Sequence, residues 1–255
     1  MSTILKTIEG DILHISLNRP EVRNAFNAEM IAEITETFSA VSQRAVVLSG
    51  EGKSFCAGGD LEWMRGSIDY TEEQNLADAR CLAEMFTAID TCPCPVIGKV
   101  HGAAFGGGLG LLCVCDVVVA AEGMKFCFSE VKLGLAPAVI SSFAIAKIGI
   151  GQARRYFLTS EVFGPEIAKD LGLAHEIASA DNLDSVVADL LAAIGQGGPN
   201  AIEEAKRLLR AIASNPHDVL DLSAASIAKL RVSPEGQEGV RAFLEKRKPS
   251  WTSGG

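Results

Sequence analysis

Three segments concentrate the residue types that could do chemistry. They are Ser54-Phe55-Cys56-Ala57-Gly58-Gly59-Asp60-Leu61, His101-Gly102-Ala103-Ala104-Phe105-Gly106-Gly107-Gly108, and Phe128-Ser129-Glu130-Val131-Lys132-Leu133-Gly134-Leu135-Ala136-Pro137. Glycines mark tight turns and places where the backbone comes close to another group. The run Gly106 to Gly108 lacks the Gly-Lys-Ser/Thr ending of a phosphate loop and does not keep the Gly-x-Gly-x-x-Gly spacing of a dinucleotide site. It offers instead a glycine turn entering an apolar helix, whose first N–H groups are unpaired and electropositive. Such amides suit an oxyanion. Glu130 supplies the carboxylate of the third segment, at a strand-to-loop junction where a Glu is more often solvated than catalytic. Lys132, two positions on, would face the same side if the strand continued.

These segments need elements to hold them. Leu13, Ile15 and Leu17 alternate with polar residues and predict a half-buried strand. Asn27 is placed to cap a helix carrying Met30, Ile31, Ile34, Phe38 and Val41 on one face. The strand Ala45–Leu48 leads into the first glycine segment. Thr71 and Gln74 form a capping box opening a helix to about Asp90, and the strand Pro95–Val100 leads into the second. A buried helix ending near Asp116, strands at Val117–Ala121 and Lys125–Phe128, and mostly helix after Pro137 follow, broken by a strand near Ala174–Ile177. Gln196-Gly197-Gly198-Pro199 marks a boundary before three helical segments, the last opened by Ser233-Pro234. These helices have little core of their own and are expected to pack on the main body or on another subunit.

Of 255 residues, 48% are apolar and 22% charged, which is ordinary for a globular protein. With 23 Lys and Arg against 32 Asp and Glu, the net charge is −9, which gains nothing from counterion release and disfavours a nucleic-acid partner. No signal-peptide core follows Met1, and the uncharged stretch Gly102–Cys115 is too short to span a bilayer. A cytoplasmic protein with no membrane association is expected. The seven cysteines include Cys92-Pro93-Cys94 and Cys113-Val114-Cys115, neither with zinc spacing. No metal site is expected, and reduced cysteines packed as small apolar residues are the simpler reading.

Taken in order, these pieces resemble the crotonase (enoyl-CoA hydratase/isomerase) superfamily from end to end. Leu17-Asn18-Arg19-Pro20 with Asn24-Ala25-Phe26-Asn27 resembles its opening signature, Phe55-x-Ala57-Gly58-x-Asp60-Leu61 its first oxyanion segment, and the turn 102–108 its second. The resemblance implies an α/β fold, a crotonase-like spiral of ββα units over residues 1–196 with a C-terminal helical oligomerisation region over 197–255. It implies that the Ala57 and Gly107 amides hold a thioester oxygen as the carbonyl becomes an enolate, with Glu130 as the acid–base. The family's other usual glutamate would fall at Gly110, so one catalytic carboxylate is expected and the other is missing.

One carboxylate permits hydration of a 2-enoyl-CoA or isomerisation of a 3-enoyl-CoA. The stretch Phe126–Ser141, with Phe105–Gly110 and Asp60-Leu61-x-Trp63-Met64, resembles the bacterial methylglutaconyl-CoA hydratase group and tilts the expectation to hydration. Arg65 or Lys132 would then meet the substrate's second carboxylate. Coenzyme A, part of the substrate and not a separate cofactor, is expected across Ala57, Gly58, Gly59, Asp60 and Leu61, near Arg23 and Ala25. Phe243 and Lys246 are expected at its nucleotide end, and a homotrimer or a hexamer is implied. The stretch Glu62–Asn75 is read as a flap over the acyl group. A non-catalytic acyl-CoA-binding or scaffold protein is the rival reading, with Gly110 as a mark of decay. The serine-hydrolase elbow Gly-x-Ser-x-Gly is absent.

Overall fold

The alternation at residues 12–17 sets the first buried surface. In a computed structural model describing residues 2–214 and 219–252, Leu13, Ile15 and Leu17 of β2 (Ile12–Leu17) point inward. An unexpected strand, β1 (Ile4–Glu9), pairs antiparallel with β2. Only Ile4 of β1 is buried, so this edge strand carries no alternation for the sequence to reveal. Asn27 Oδ1 accepts the Met30 N–H at 2.9 Å and opens α1 (Ala28–Ser39), whose Met30, Ile31, Ile34 and Phe38 are buried.

The chain then builds β3 (Ala45–Gly50), α2 (Leu61–Gly66), α3 (Glu72–Asp90), β4 (Val96–Val100), β5 (Ala103–Phe105), α4 (Gly107–Val114), β6 (Val117–Ala121) and β7 (Lys125–Cys127). Next come α5 (Ser141–Thr159), α6 (Pro165–Asp170), β8 (Glu176–Ala178), α7 (Leu183–Gln196), α8 (Pro199–Ser214), α9 (Val219–Val232) and α10 (Pro234–Leu244). The capping box at Thr71 and Gln74 forms in full. Ser233 Oγ accepts the Gly236 N–H at 3.0 Å and caps α10.

The main sheet has the order β1-β2-β3-β4-β6-β8 and is parallel from β2 onward. Its central strands are buried on both faces. Val46, Leu48, Val96, Val100 and Val118 face a large core shared with α1, α3, α4 and α5, while Val47, Ile97 and Val119 face a smaller one that includes Leu183 and Val187 of α7. That explains the continuous apolar run Ala45–Leu48. A second parallel pair, β5 and β7, is extended by isolated bridges Cys56↔Ala104 and Phe126↔Phe163, and Phe26 bridges Gly59. This short layer draws the three chemical segments together. The result is a mixed α/β spiral followed by helices.

One expectation needs correction. The strand into the third segment stops at Cys127, and Glu130–Leu133 is a 3₁₀ turn. Residues two apart on that turn do not share a face, and Lys132 is exposed. Cys92-Pro93-Cys94 lies in the bend between α3 and β4. In the region 197–255, residues 215–218 and 253–255 lie outside the described ones. Leu209, Leu220, Val232, Phe243 and Leu244 are exposed in that region. No described helix is long and apolar enough to cross a membrane.

Candidate active site

The first glycine segment is held by its own backbone hydrogen bonds, and counting them decides which amide is free. Phe55 N–H donates to His101 O at 2.9 Å, Cys56 N–H to Ala103 O at 3.1 Å, and Asp60 N–H to Phe26 O at 2.8 Å. The Ala57 N–H donates to Arg23 O at 3.0 Å. Ala57 was expected to hold the thioester oxygen; its hydrogen is already taken, so that assignment is corrected. The Gly59 N–H has no acceptor among the described residues, although Gly59 lines the site cavity. Gly59 was expected only as a binding residue; the Arg23 carbonyl that occupies the Ala57 amide and leaves Gly59's free comes from another loop and is illegible in sequence.

At the second segment Gly106 N–H donates to Cys127 O at 2.9 Å, and Leu109 and Gly110 N–H turn back to Gly106 O. The Gly107 N–H, at the first position of α4, has no acceptor among the described residues. The two segments touch. Gly58 has φ +95°, and a Cβ there would lie 2.8 Å from Phe105 O and 3.5 Å from Gly107 N. Only glycine permits that approach.

Gly59, Gly107 and Glu130 border one cavity of about 280 Å³, walled by Trp63, Met64, Leu82, Val139 and Ile140. Trp63 and Met64 come from the stretch expected as a flap, which forms α2 and a 3₁₀ turn before α3. A larger hollow of about 470 Å³ lies between Arg44, Cys94 and Trp251 and contains none of these groups. Glu130 Oε2 is buried with no hydrogen-bond partner. Burial pushes its carboxyl above the usual carboxylate range, opposed only by its own backbone N–H. Lys132 contributes nothing to that shift. Behind the cavity wall at Ile140, a Cβ at Gly110 would collide with Ile140 Cγ2 and lie 2.9 Å from Phe86 Cζ. The missing carboxylate has left no gap, because apolar side chains occupy its space.

The sequence model of the enoyl-CoA hydratase/isomerase family matches residues 7–254. The chain belongs to this family. It is similar to an enoyl-CoA hydratase from Alternaria alternata at 37% identity, covering 94% of this chain and 80% of that one. A solved enoyl-CoA hydratase structure from Shewanella pealeana superposes with a TM-score of 0.93 at 41% identity, covering 98% of this chain and 96% of that chain. A peroxisomal Delta(3,5)-Delta(2,4)-dienoyl-CoA isomerase of Arabidopsis thaliana is 30% identical over 98% of this chain and 95% of its own length.

Against the family's crotonase fold, the remaining expected residues fall into distinct groups. Asp60 is buried and structural: Oδ1 accepts from the Glu62 and Trp63 amides at 2.7 and 3.2 Å, and Oδ2 meets Arg19 Nη2 at 2.8 Å. Burial alone would raise its carboxyl, but these donors together hold it below the usual range. Ala25 is buried, and its carbonyl accepts from Arg19 Nη1 at 2.6 Å. Arg23 sits exposed at φ +55°, and Leu61 is exposed beside the cavity segment. Phe243, at 82% exposure, is surface and not core; Lys246 follows it, exposed at φ +53°. Arg65 pairs with Glu62 at 2.6 Å and does not line the cavity; neither does Lys132.

Proposed function

We propose that this protein hydrates the conjugated double bond of a 2-enoyl-CoA thioester. The observation that carries the reading is the placing of Glu130, half-buried with its Oε2 buried and unpaired, in one cavity with two free amides. The thioester oxygen lies between the Gly59 and Gly107 N–H groups. Ionised Glu130 takes a proton from a water as its oxygen attacks the β-carbon, and the negative charge passes to the thioester oxygen. Preorganised donors in a dry cavity stabilise that charge without reorganising. Glu130, now protonated, returns a proton to the α-carbon. A carboxyl raised by burial is suited to both halves, since it is a stronger base than a solvated one.

Isomerisation of a 3-enoyl-CoA is the second reading, and the closure of the residue-110 position by Ile140 and Phe86 favours it. It needs a single acid–base to move a proton between the α- and γ-carbons. Purified protein offered a 2-enoyl-CoA and a 3-enoyl-CoA separates the two: loss of enone absorbance from the first supports hydration, and its appearance from the second supports isomerisation. Neither change would remove both and leave a binding role.

The finer substrate, methylglutaconyl-CoA, rests on resemblance in the segments around Asp60, Gly107 and Glu130, since neither cation expected to meet its second carboxylate lines the cavity. A comparison of methylglutaconyl-CoA with crotonyl-CoA tests it. We further propose that the coenzyme A moiety runs past Gly58, Leu61, Arg23 and Ala25. The exposed apolar residues of 197–255 then form a trimer-based subunit contact that places Phe243 and Lys246 near its nucleotide end. Sedimentation of a Phe243→Glu variant reads that contact.

A further inference from the structure

The hydration chemistry uses none of the seven cysteines, and most of them are chemically quiet. Cys56, Cys113 and Cys115 are buried, and burial pushes each thiol up to about 12. A thiol held there has almost no thiolate at neutral pH, and the thiolate is the reactive form. Cys92 and Cys94 are buried too, at 2% and 8% exposure, but they differ in being paired. They flank Pro93 in the bend between α3 and β4, where the backbone turns and the two side chains converge. Their sulfurs lie 3.6 Å apart, in contact but unbonded.

Residues two apart would diverge on a helix and would lie on the same face of a strand too far apart to touch. The bend, with Pro93 limiting the backbone, brings the pair together. A disulfide has an S–S length of about 2.05 Å, so closing this pair asks for a movement of roughly 1.5 Å, within the reach of side-chain rotation in a loop. Cys94 lines the hollow of about 470 Å³ together with Ser42, Gln43 and Arg44, while Cys92 does not line it and is reached only past Cys94.

The surroundings divide the pair into two roles. The contact with the Cys94 sulfur, the Cys94 backbone N–H and the nearby Lys206 ammonium, against burial and the Asp116 carboxylate, hold the Cys92 thiol down to about 7. Cys94 is pushed upward by the same contact and by burial. Lys206 is itself fixed, with Nζ 3.1 Å from Cys94 O and 2.6 Å from Asp116 Oδ2.

We propose that Cys92 and Cys94 form a peroxide-reactive dithiol, with Cys92 as the attacking sulfur and Cys94 as the resolving one. Cys92 thiolate attacks one oxygen of hydrogen peroxide, the O–O bond breaks, and hydroxide leaves and is protonated to water. Cys92 is then a sulfenic acid. The Cys94 sulfur attacks Cys92 sulfur, the S–O bond breaks, and the departing hydroxide takes the Cys94 proton as a second water. Two thiols have lost two electrons and two hydrogens to one peroxide, and the S–S bond is closed. The bend joins α3, which carries the cavity residue Leu82, to β4, which leads toward the second glycine segment.

The test treats the full-length protein, in a Cys81→Ser background, with hydrogen peroxide. Remaining thiols are then alkylated and the peptide spanning residues 81–99 is read by tandem mass spectrometry. The expected result is a peptide two hydrogens lighter that resists alkylation and recovers both thiols under dithiothreitol. In a Cys94→Ser variant the sulfenic acid persists and is trapped by dimedone at Cys92. In untreated protein, iodoacetamide labels Cys92 at least about tenfold faster than Cys113 or Cys115, with a midpoint near neutral pH. Oxidation of Cys92 directly to sulfinic acid while Cys94 stays free, or slower labelling of Cys92 than of Cys113, would overturn the proposal. Because each readout is covalent, it is independent of which thioester reaction the cavity performs.

Discussion

Ile140 stands where a side chain at residue 110 would have to go. A Cβ at Gly110 would collide with Ile140 Cγ2, and Phe86 Cζ would lie 2.9 Å from it. Both neighbours are buried, so neither can swing away without opening the core. The proposed role of Glu130 therefore has to be filled without a second carboxylate at this position. Gly110→Glu is expected to lower stability by about 1–3 kcal/mol, the usual cost of overpacking, and to lower activity as well. Urea unfolding reads the first effect. An added Ile140→Ala change that gave back no stability would count against this packing argument.

If Glu130 is the proposed acid–base, its burial costs stability. Burial raises its folded-state carboxyl above the ordinary value. The neutral carboxyl's contribution is thus intact below about pH 4 and is lost as pH rises through the raised value. Glu130→Gln should make the protein more stable than wild type at pH 8, with the gap narrowing toward pH 5 in parallel urea unfolding curves. Turnover should fall by about 10²–10⁴-fold while binding of a saturated acyl-CoA persists.

Activity should rise with pH through the raised Glu130 value, since the group must be ionised to accept a proton from water. The acid limb of kcat/KM for hydration is expected above the ordinary carboxylate range. A limb at or below pH 4 would show that some other group carries the proton.

The Gly59 and Ala57 amides can be told apart by replacing single backbone N–H groups with ester oxygens in a semisynthetic chain. The ester that removes the Gly59 N–H is expected to lower kcat by about 10²–10³-fold with little loss of stability. The ester that removes the Ala57 N–H should instead weaken folding by about 1 kcal/mol, because that amide is bonded to Arg23 O. The opposite pattern would return the oxyanion role to Ala57.

Asp60 ties the first glycine segment to Arg19 and to the start of α2. Asp60→Ala leaves Arg19 without its carboxylate and should cost about 3–5 kcal/mol. Its folded-state carboxyl is held low, so this contribution is present above the ordinary carboxylate value and is lost as pH falls through the lowered one. Thermal unfolding of the variant and of Arg19→Met, Asp60→Leu separates the broken pair from its apolar replacement.

Local rules were enough wherever a signal is carried by neighbouring residues. The alternation of β2, the Asn27 cap of α1, the Thr71–Gln74 box of α3 and the Ser233 cap of α10 all depend on contacts within a few positions. The order of the glycine segments and Glu130 was legible for the same reason, and with it the family. Edge strand β1 was not, since its pairing with β2 leaves only one residue buried. Tertiary structure alone decided which glycine-segment amide is free, because the acceptor that occupies the Ala57 N–H comes from Arg23 in another loop. It also decided that Gly110 is a filled position and not an empty one, and that Cys92 and Cys94 meet. A residue's type and spacing state what chemistry it can offer; hydrogen-bond partners and steric neighbours from distant parts of the chain decide whether that capacity is spent or left open.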